Sequence, residues 1–315
     1  MRRASIDLGT NTCLLLVKEE TPGGELILHD ESNVVRLGEG VAANGVLNEA
    51  AMKRARDCLF NYVRVAGSLG VPAREITAVG TAQARDARNA KEFFSELEST
   101  LGLRFRILSG DEEARATFLG ARLPGIDVRR MVVMDIGGGS TEIVAMPEAQ
   151  GPIHGESLGI GAVKITEKFM PSDPVPDREF WNAEEAINLA LSKLKPWRRG
   201  LDERLKGEPR FVAVAGTAVT LAMIQKGMES FDARAIDGSV LTRGDAHRLV
   251  EELKWRSVDE RKTMPGMEVK RADVILAGAL IFWRVMEELD FKEAVISTRG
   301  LRYGVLDAEM KGAER

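Results

Sequence analysis

The chain has 315 residues, enough for about two domains with substantial cores. Its 44 Lys plus Arg stand against 48 Asp plus Glu, a net charge of -4, which excludes a generally basic, nucleic-acid-coating surface. With 44% hydrophobic and 29% charged residues it reads as a self-folding globular protein, not as a disordered or fibrous chain.

Residues 4–17 are apolar on both sides of Asp7-Leu8-Gly9-Thr10-Asn11-Thr12, which predicts two strands joined by a tight turn. Asp7 also interrupts the apolar stretch behind Met1-Arg2-Arg3 before a signal-peptide core of about 7 to 15 residues is complete, so secretion is not expected. Met52, Ala55, Leu59, Tyr62, Ala66 and Leu69 recur at helical spacing, with Asn48 as cap and Gly70 as stop, and predict a helix covering a sheet. Strands are expected at 76–79 and 105–108, with a helix at 90–101 between them. Leu123-Pro124-Gly125 punctuates the chain as a domain boundary.

A second strand, turn, strand unit follows at 131–145, where Val132-Val133-Met134 leads into Asp135-Ile136-Gly137-Gly138-Gly139-Ser140-Thr141-Glu142. The two units align without gaps: Asp7 with Asp135, Gly9 with Gly137, Thr12 with Ser140. Beyond it, 171–177 is a polar surface connection, 183–194 and 246–253 read as helices, and 211–215 and 294–297 as strands. The class is α/β. The apolar run 274–283 is shorter than the roughly 18 to 20 residues a bilayer needs, and is expected to be a core helix rather than a dimer contact.

Each Asp-x-Gly turn sets a carboxylate beside small residues whose backbone amides can approach an anion closely. Phosphate with a divalent metal is the chemistry this suggests. Asp7 and Asp135 hold Mg²⁺, directly or through water, while Gly9 to Thr12 and Gly137 to Thr141 offer N–H and hydroxyl donors to phosphoryl oxygens. A plain hairpin with a solvated Asp accounts for one such turn but poorly for a matched pair. Gly216, in Ala215-Gly216-Thr217-Ala218, either meets an adenosine-like group or lets a helix pack closely, and nothing there resembles a P-loop.

Ser109-Gly110-Asp111-Glu112 fits a capping box, which gives Glu112 a structural task and leaves Glu113 on another face. There Glu113 is either a general base or one more favourable charge near the helix dipole. Arg85 either stabilises a transferring phosphoryl group or pairs with Asp86 or Glu92. Lys195, Arg198 and Arg199, Lys270 and Arg271, and Arg299 and Arg302 are candidates for an anion's path or for solvated faces. His29, His154 and His247 lack metal-ligand spacing, and Cys13 and Cys58 are too few for a disulfide framework, so a reducing cytoplasm fits best.

These motifs, together with residues 81–89, Arg271-Ala272-Asp273 and Arg299-Gly300-Leu301-Arg302-Tyr303-Gly304, resemble the exopolyphosphatase and guanosine pentaphosphate phosphohydrolase family of the actin, sugar kinase and Hsp70 superfamily. The resemblance runs nearly full length. It implies two ribonuclease H-like domains with mixed sheets flanked by helices and a cleft between them. The first domain spans 1–124, completed by a C-terminal helix at 300–315, and the second spans 125–299. It also implies Glu113 as catalytic base, Arg85 as phosphate-binding arginine, Asp7, Asp135 and Glu142 as ligands of Mg²⁺ or Mn²⁺, and Gly9, Thr10, Asn11, Thr12, Gly137, Gly138, Gly139, Ser140 and Thr141 as the phosphate cradle. Two departures stand out: Gly9-Thr10-Asn11-Thr12 where Gly-Ser-Asn-Ser is common, and a chain that stops where longer members continue into an HD-like helical domain.

The expected function is metal-assisted hydrolysis of the terminal phosphoanhydride of polyphosphate, with pppGpp a close second substrate. Kinase and sensor readings rank lower: the first lacks a glycine-rich adenosine loop, the second has no use for Glu113. No nucleic acid or membrane partner is expected, and a homodimer is part of what the resemblance implies.

Overall fold

Both strand, turn, strand units form, and each lies within one sheet of the computed structural model, which describes residues 1–148, 151–205 and 207–312. The chain divides into two compact units, Met1–Gly120 together with the chain from Leu301, and Ala121–Gly300.

Unit 1 runs β1 (Arg2–Leu8), β2 (Thr12–Thr21), β3 (Gly24–Val34), α1 (Val41–Asn44), α2 (Glu49–Ser68), β4 (Ile76–Gly80), α3 (Ala82–Asp86), α4 (Ala90–Leu101), β5 (Phe105–Ile107) and α5 (Gly110–Gly120). Its sheet has the order β3-β2-β1-β4-β5. β1 is central, antiparallel to β2 and parallel to β4, so Asp7 stands near the carboxyl end of an interior strand, where open α/β sheets bind ligands. The stripe on α2 packs as its spacing predicts: Ala51, Ala55, Cys58, Leu59, Tyr62 and Ala66 are buried, and the Asn48 side chain accepts from the Ala51 N–H.

Unit 2 runs β6 (Met131–Ile136), β7 (Thr141–Ala145), β8 (His154–Leu158), α6 (Ala162–Phe169), α7 (Asp177–Leu191), α8 (Leu194–Asp202), β9 (Arg210–Val214), α9 (Ala215–Lys226), α10 (Ala233–Ile236), β10 (Val240–Thr242), α11 (Arg243–Lys254), α12 (Val258–Lys262), α13 (Ile275–Glu288) and β11 (Glu293–Ile296). The order is β10-β11-β9-β6-β7-β8, with β6 interior. The apolar run is α13, buried continuously from Ile275 to Phe282 in the core of this unit. No helix among the described residues is long and apolar enough to cross a membrane.

The last helix, α14 (Leu301–Gly312), belongs to unit 1. Ser5 donates to the Arg302 carbonyl at 2.6 Å, and Lys18 reaches Asp307 at 2.9 Å. The Arg302 guanidinium clamps Asp30 with two 2.9 Å bonds, and the Tyr303 hydroxyl donates to the same carboxylate at 2.8 Å. Gly304 rests on the backbone of Ala116 in α5, where any Cβ would overlap the carbonyl.

Two expectations need adjustment. The helix expected over 183–194 is two helices, α7 and α8, with Pro196 in the first turn of the second, where its missing N–H costs no helical bond. Strands β3, β8 and β10 carry no strong apolar signal because all three are sheet edges. Their side chains alternate with solvent or face it, unlike interior β1 and β6.

Candidate active site

The two turns are built alike. Gly9 N–H donates to the Thr12 carbonyl at 2.9 Å, and Gly137 N–H donates to the Ser140 carbonyl at 3.0 Å. Each glycine faces that same carbonyl closely, 3.4 Å and 3.3 Å from where a Cβ would stand. Strand register matches as well: Leu8 opposes Cys13 as Ile136 opposes Thr141. The alignment in sequence is thus a repeat of backbone geometry.

The first turn is held from outside by a strap the sequence did not point out. Val35 and Arg36 N–H groups both donate to the Asn11 carbonyl, and Gly38 N–H donates to the Thr10 carbonyl, at 2.9 to 3.0 Å. Arg36 adopts a left-handed φ of 50°, uncommon for a residue with a side chain. With their carbonyls engaged, the turn's small residues keep their other faces for a ligand. Gly9, Thr10, Asn11 and Thr12 are half-buried, as are Gly137, Gly138, Gly139 and Ser140.

Thr141 requires a correction. Its side chain is fully buried and its hydroxyl donates to the Ile160 carbonyl at 2.7 Å, so it anchors the turn from within and does not reach a phosphate.

At the head of α5 the capping box forms: Ser109 N–H donates to Glu112 at 2.9 Å, and Glu112 N–H donates to Ser109 Oγ at 3.2 Å. These bonds hold the Glu112 carboxyl below its usual range. Glu113, left free of that duty, accepts from Arg85 Nη1 at 2.9 Å, while the same nitrogen donates to the Leu108 carbonyl at 2.6 Å. Arg85 therefore pairs with neither Asp86 nor Glu92. Its Nε and Nη2 make no other hydrogen bond among the described residues.

Asp7 is buried, and its Oδ1 has no hydrogen-bond partner. Burial first, then the charge of Glu113, pushes its carboxyl up to about 7, against a smaller opposing pull from Arg302. An acid whose folded pKa lies above its unfolded value binds more protons folded than unfolded between the two. Asp7 thus contributes stability that is full below about pH 4 and lost as pH rises to about 7. The melting temperature of chelator-treated protein, less that of Asp7→Asn, should fall across that window and level off above it. A difference that stays flat from acid to neutral pH would contradict the assignment.

In unit 2, Asp135 and Glu142 face each other across β6 and β7, and Ser157 Oγ donates to Glu142 at 2.9 Å. Among the described residues no three His, Cys, Asp or Glu side chains are grouped so as to hold a metal ion by themselves.

Most of the basic clusters are engaged structurally rather than free to line an anion's path. Arg302 is clamped by Asp30, Arg198 binds Asp202 and the Leu289 carbonyl, and Lys195 pairs with Glu288. Arg271 pairs with Glu268 and lies flat on Gly216, where any Cβ would collide with its guanidinium. Gly216 thus serves close packing.

Comparisons with known proteins agree with this architecture. The chain is 32% identical to an exopolyphosphatase 2 of Mycobacterium tuberculosis over 316 residues, covering 97% of this chain and 96% of that protein. It is 30% identical to a bifunctional 3-dehydroquinate synthase/phosphatase of Fusobacterium nucleatum over 90% of its own length, and spans only 43% of that relative. The crystal structure of the Aquifex aeolicus Ppx/GppA family member superposes with a TM-score of 0.81 at 30% identity, covering 100% of this chain and 99% of that one. A model of the Ppx/GppA phosphatase family matches residues 16–313. The chain therefore belongs to the Ppx/GppA phosphatase family, hydrolases with a two-domain, actin-like fold.

Proposed function

We propose that the protein is an exopolyphosphatase that hydrolyses the terminal phosphoanhydride of inorganic polyphosphate and releases orthophosphate. The observation that carries this reading is the Arg85–Glu113 pair at 2.9 Å, with Glu113 near enough to raise the buried carboxyl of Asp7. Glu113 accepts a proton from water as it attacks phosphorus, and Arg85, whose Nε and Nη2 are uncommitted among the described residues, offsets charge developing on the phosphoryl oxygens. The Gly9–Thr12 and Gly137–Ser140 turns supply amide and hydroxyl donors to those oxygens.

A hard divalent cation fits the residues present. Asp7 brings a buried carboxylate oxygen without a partner, and one or two carboxylates with water and substrate phosphate complete a Mg²⁺ shell without an all-protein cage. Asp7, Asp135 and Glu142 are the side chains that would hold it. When bound, Mg²⁺ or Mn²⁺ neutralises phosphate charge.

Polyphosphate is favoured over pppGpp because Arg271 covers Gly216, the loop that alone in this sequence invited a nucleoside. Two buried cysteines not joined in a disulfide, Cys13 and Cys58, suit action in the cytoplasm. Offering polyphosphate, pppGpp and ATP separately, with Mg²⁺ or with chelator, tests the reading. Orthophosphate should appear fastest from polyphosphate and only with metal. Faster release from pppGpp would move the assignment to that substrate, and silence until an acceptor is added with ATP would indicate a kinase.

A further inference from the structure

We infer that Lys164 is a further substrate-binding residue, a cation that grips phosphates held by the Gly137–Ser140 turn; the inference rests on the polyphosphate reading above. The turn is not an isolated loop. Gly161, which caps α6, lies against the backbone of Gly138 and Gly139, where a Cβ would stand 2.5 to 2.6 Å from their atoms. Ala162 N–H donates to the Gly137 carbonyl at 2.9 Å and Lys164 N–H to the Gly138 carbonyl at 3.0 Å. With Thr141 bonded to the Ile160 carbonyl, the turn and the first turn of α6 form one braced unit. Lys164 is fastened through its own backbone to the residue it would assist.

Its side chain is exposed and folds back over Gly159, with Nζ 3.4 Å from where a side chain there would begin. Glycine at 159 leaves the room the lysine uses. No carboxylate among the described residues pairs with this ammonium. The position is also the wrong one for helix stability, since a cation in the first turn opposes the macrodipole. A residue that breaks a local rule without a compensating partner is expected at a functional site. An ammonium with no carboxylate partner among the described residues, on a backbone bonded to the turn, suits a phosphate oxygen, as a point charge rather than a bidentate fork. One turn further, Lys168 instead lays its ammonium over the Phe169 ring, 5.1 Å from the centroid.

The test is steady-state kinetics on polyphosphate with Lys164→Ala, Lys164→Arg and, as a control for charge alone, Lys168→Ala. Lys164→Ala should raise KM by about ten-fold while kcat stays within about two-fold, the usual scale for a lost charge-assisted contact. Lys164→Arg should restore most of the loss, and Lys168→Ala should match wild type. An unchanged KM in Lys164→Ala, or an equal rise in Lys168→Ala, would overturn the assignment. Binding of inorganic tripolyphosphate to Glu113→Gln protein, by calorimetry, separates this inference from the functional reading. If wild type hydrolyses no polyphosphate, that reading falls, yet about ten-fold weaker tripolyphosphate binding on adding Lys164→Ala would still support the lysine. Equal binding, or none in either protein, would overturn it.

Discussion

Glu113→Gln should lower orthophosphate release from polyphosphate by about 100- to 10,000-fold, the usual worth of a general base. Gln keeps the shape and an oxygen able to accept from Arg85 Nη1, so the 2.9 Å contact and the head of α5 stay intact. What it loses is the capacity to take a proton from water. The melting temperature should therefore hold while kcat falls. Glu112→Gln is the matched control, the same substitution one residue away. Glutamine serves a capping box almost as well as glutamate, so the bonds with Ser109 persist and activity should remain near wild type. Retained activity in Glu113→Gln would remove that residue from the catalytic role, and a comparable loss in Glu112→Gln would make the effect one of local structure.

Asp30→Ala should destabilise unit 1 by about 3 to 5 kcal/mol, because it takes away the carboxylate that clamps a buried guanidinium. Arg302 is 7% exposed, and it gives Asp30 two hydrogen bonds from its guanidinium, while Asp30 also takes the Tyr303 hydroxyl. Removing both charges together, as in Asp30→Leu with Arg302→Met, should cost much less than Asp30→Ala alone, since apolar replacement of a buried pair is often near neutral. The chain supplies its own internal control. All four tryptophans, Trp181, Trp197, Trp255 and Trp283, lie in Ala121–Gly300, so their fluorescence follows unit 2. Hydrogen exchange in β1 and α14 follows unit 1, and should accelerate in Asp30→Ala while the tryptophan transition stays in place. Unaltered exchange would mean that α14 is held by its other bonds.

The interior of the fold was legible in the sequence and its rim was not. Strands β1 and β6 announce themselves because both faces are buried, and the paired Asp-x-Gly turns that end them are a repeat no composition effect produces. The edge strands β3, β8 and β10 meet solvent, which erases the apolar signal on which the reading depends. In the site, Ser-x-x-Glu spacing and helix geometry gave Glu112 its capping task and left Glu113 on another face, while a catalytic role for Glu113 came only from the family resemblance. That Arg85 pairs with Glu113 could not be read this way: they sit 28 positions apart and meet because α3 and α5 belong to one unit. Thr141 misled because its place in an apparent anion loop conceals that strand β7 has already begun there and turns it inward. The braces on both turns, from 35–38 and from Gly161 with α6, are backbone bonds to carbonyls, and such bonds leave little trace in side-chain identity beyond Gly38 and Gly161.

The most direct test of water attack on the terminal phosphorus is hydrolysis of polyphosphate in water enriched in oxygen-18, with mass spectrometry of both products. The account predicts one labelled oxygen in each released orthophosphate and none in the chain left behind. Label in the shortened chain, or orthophosphate that carries none, would contradict it.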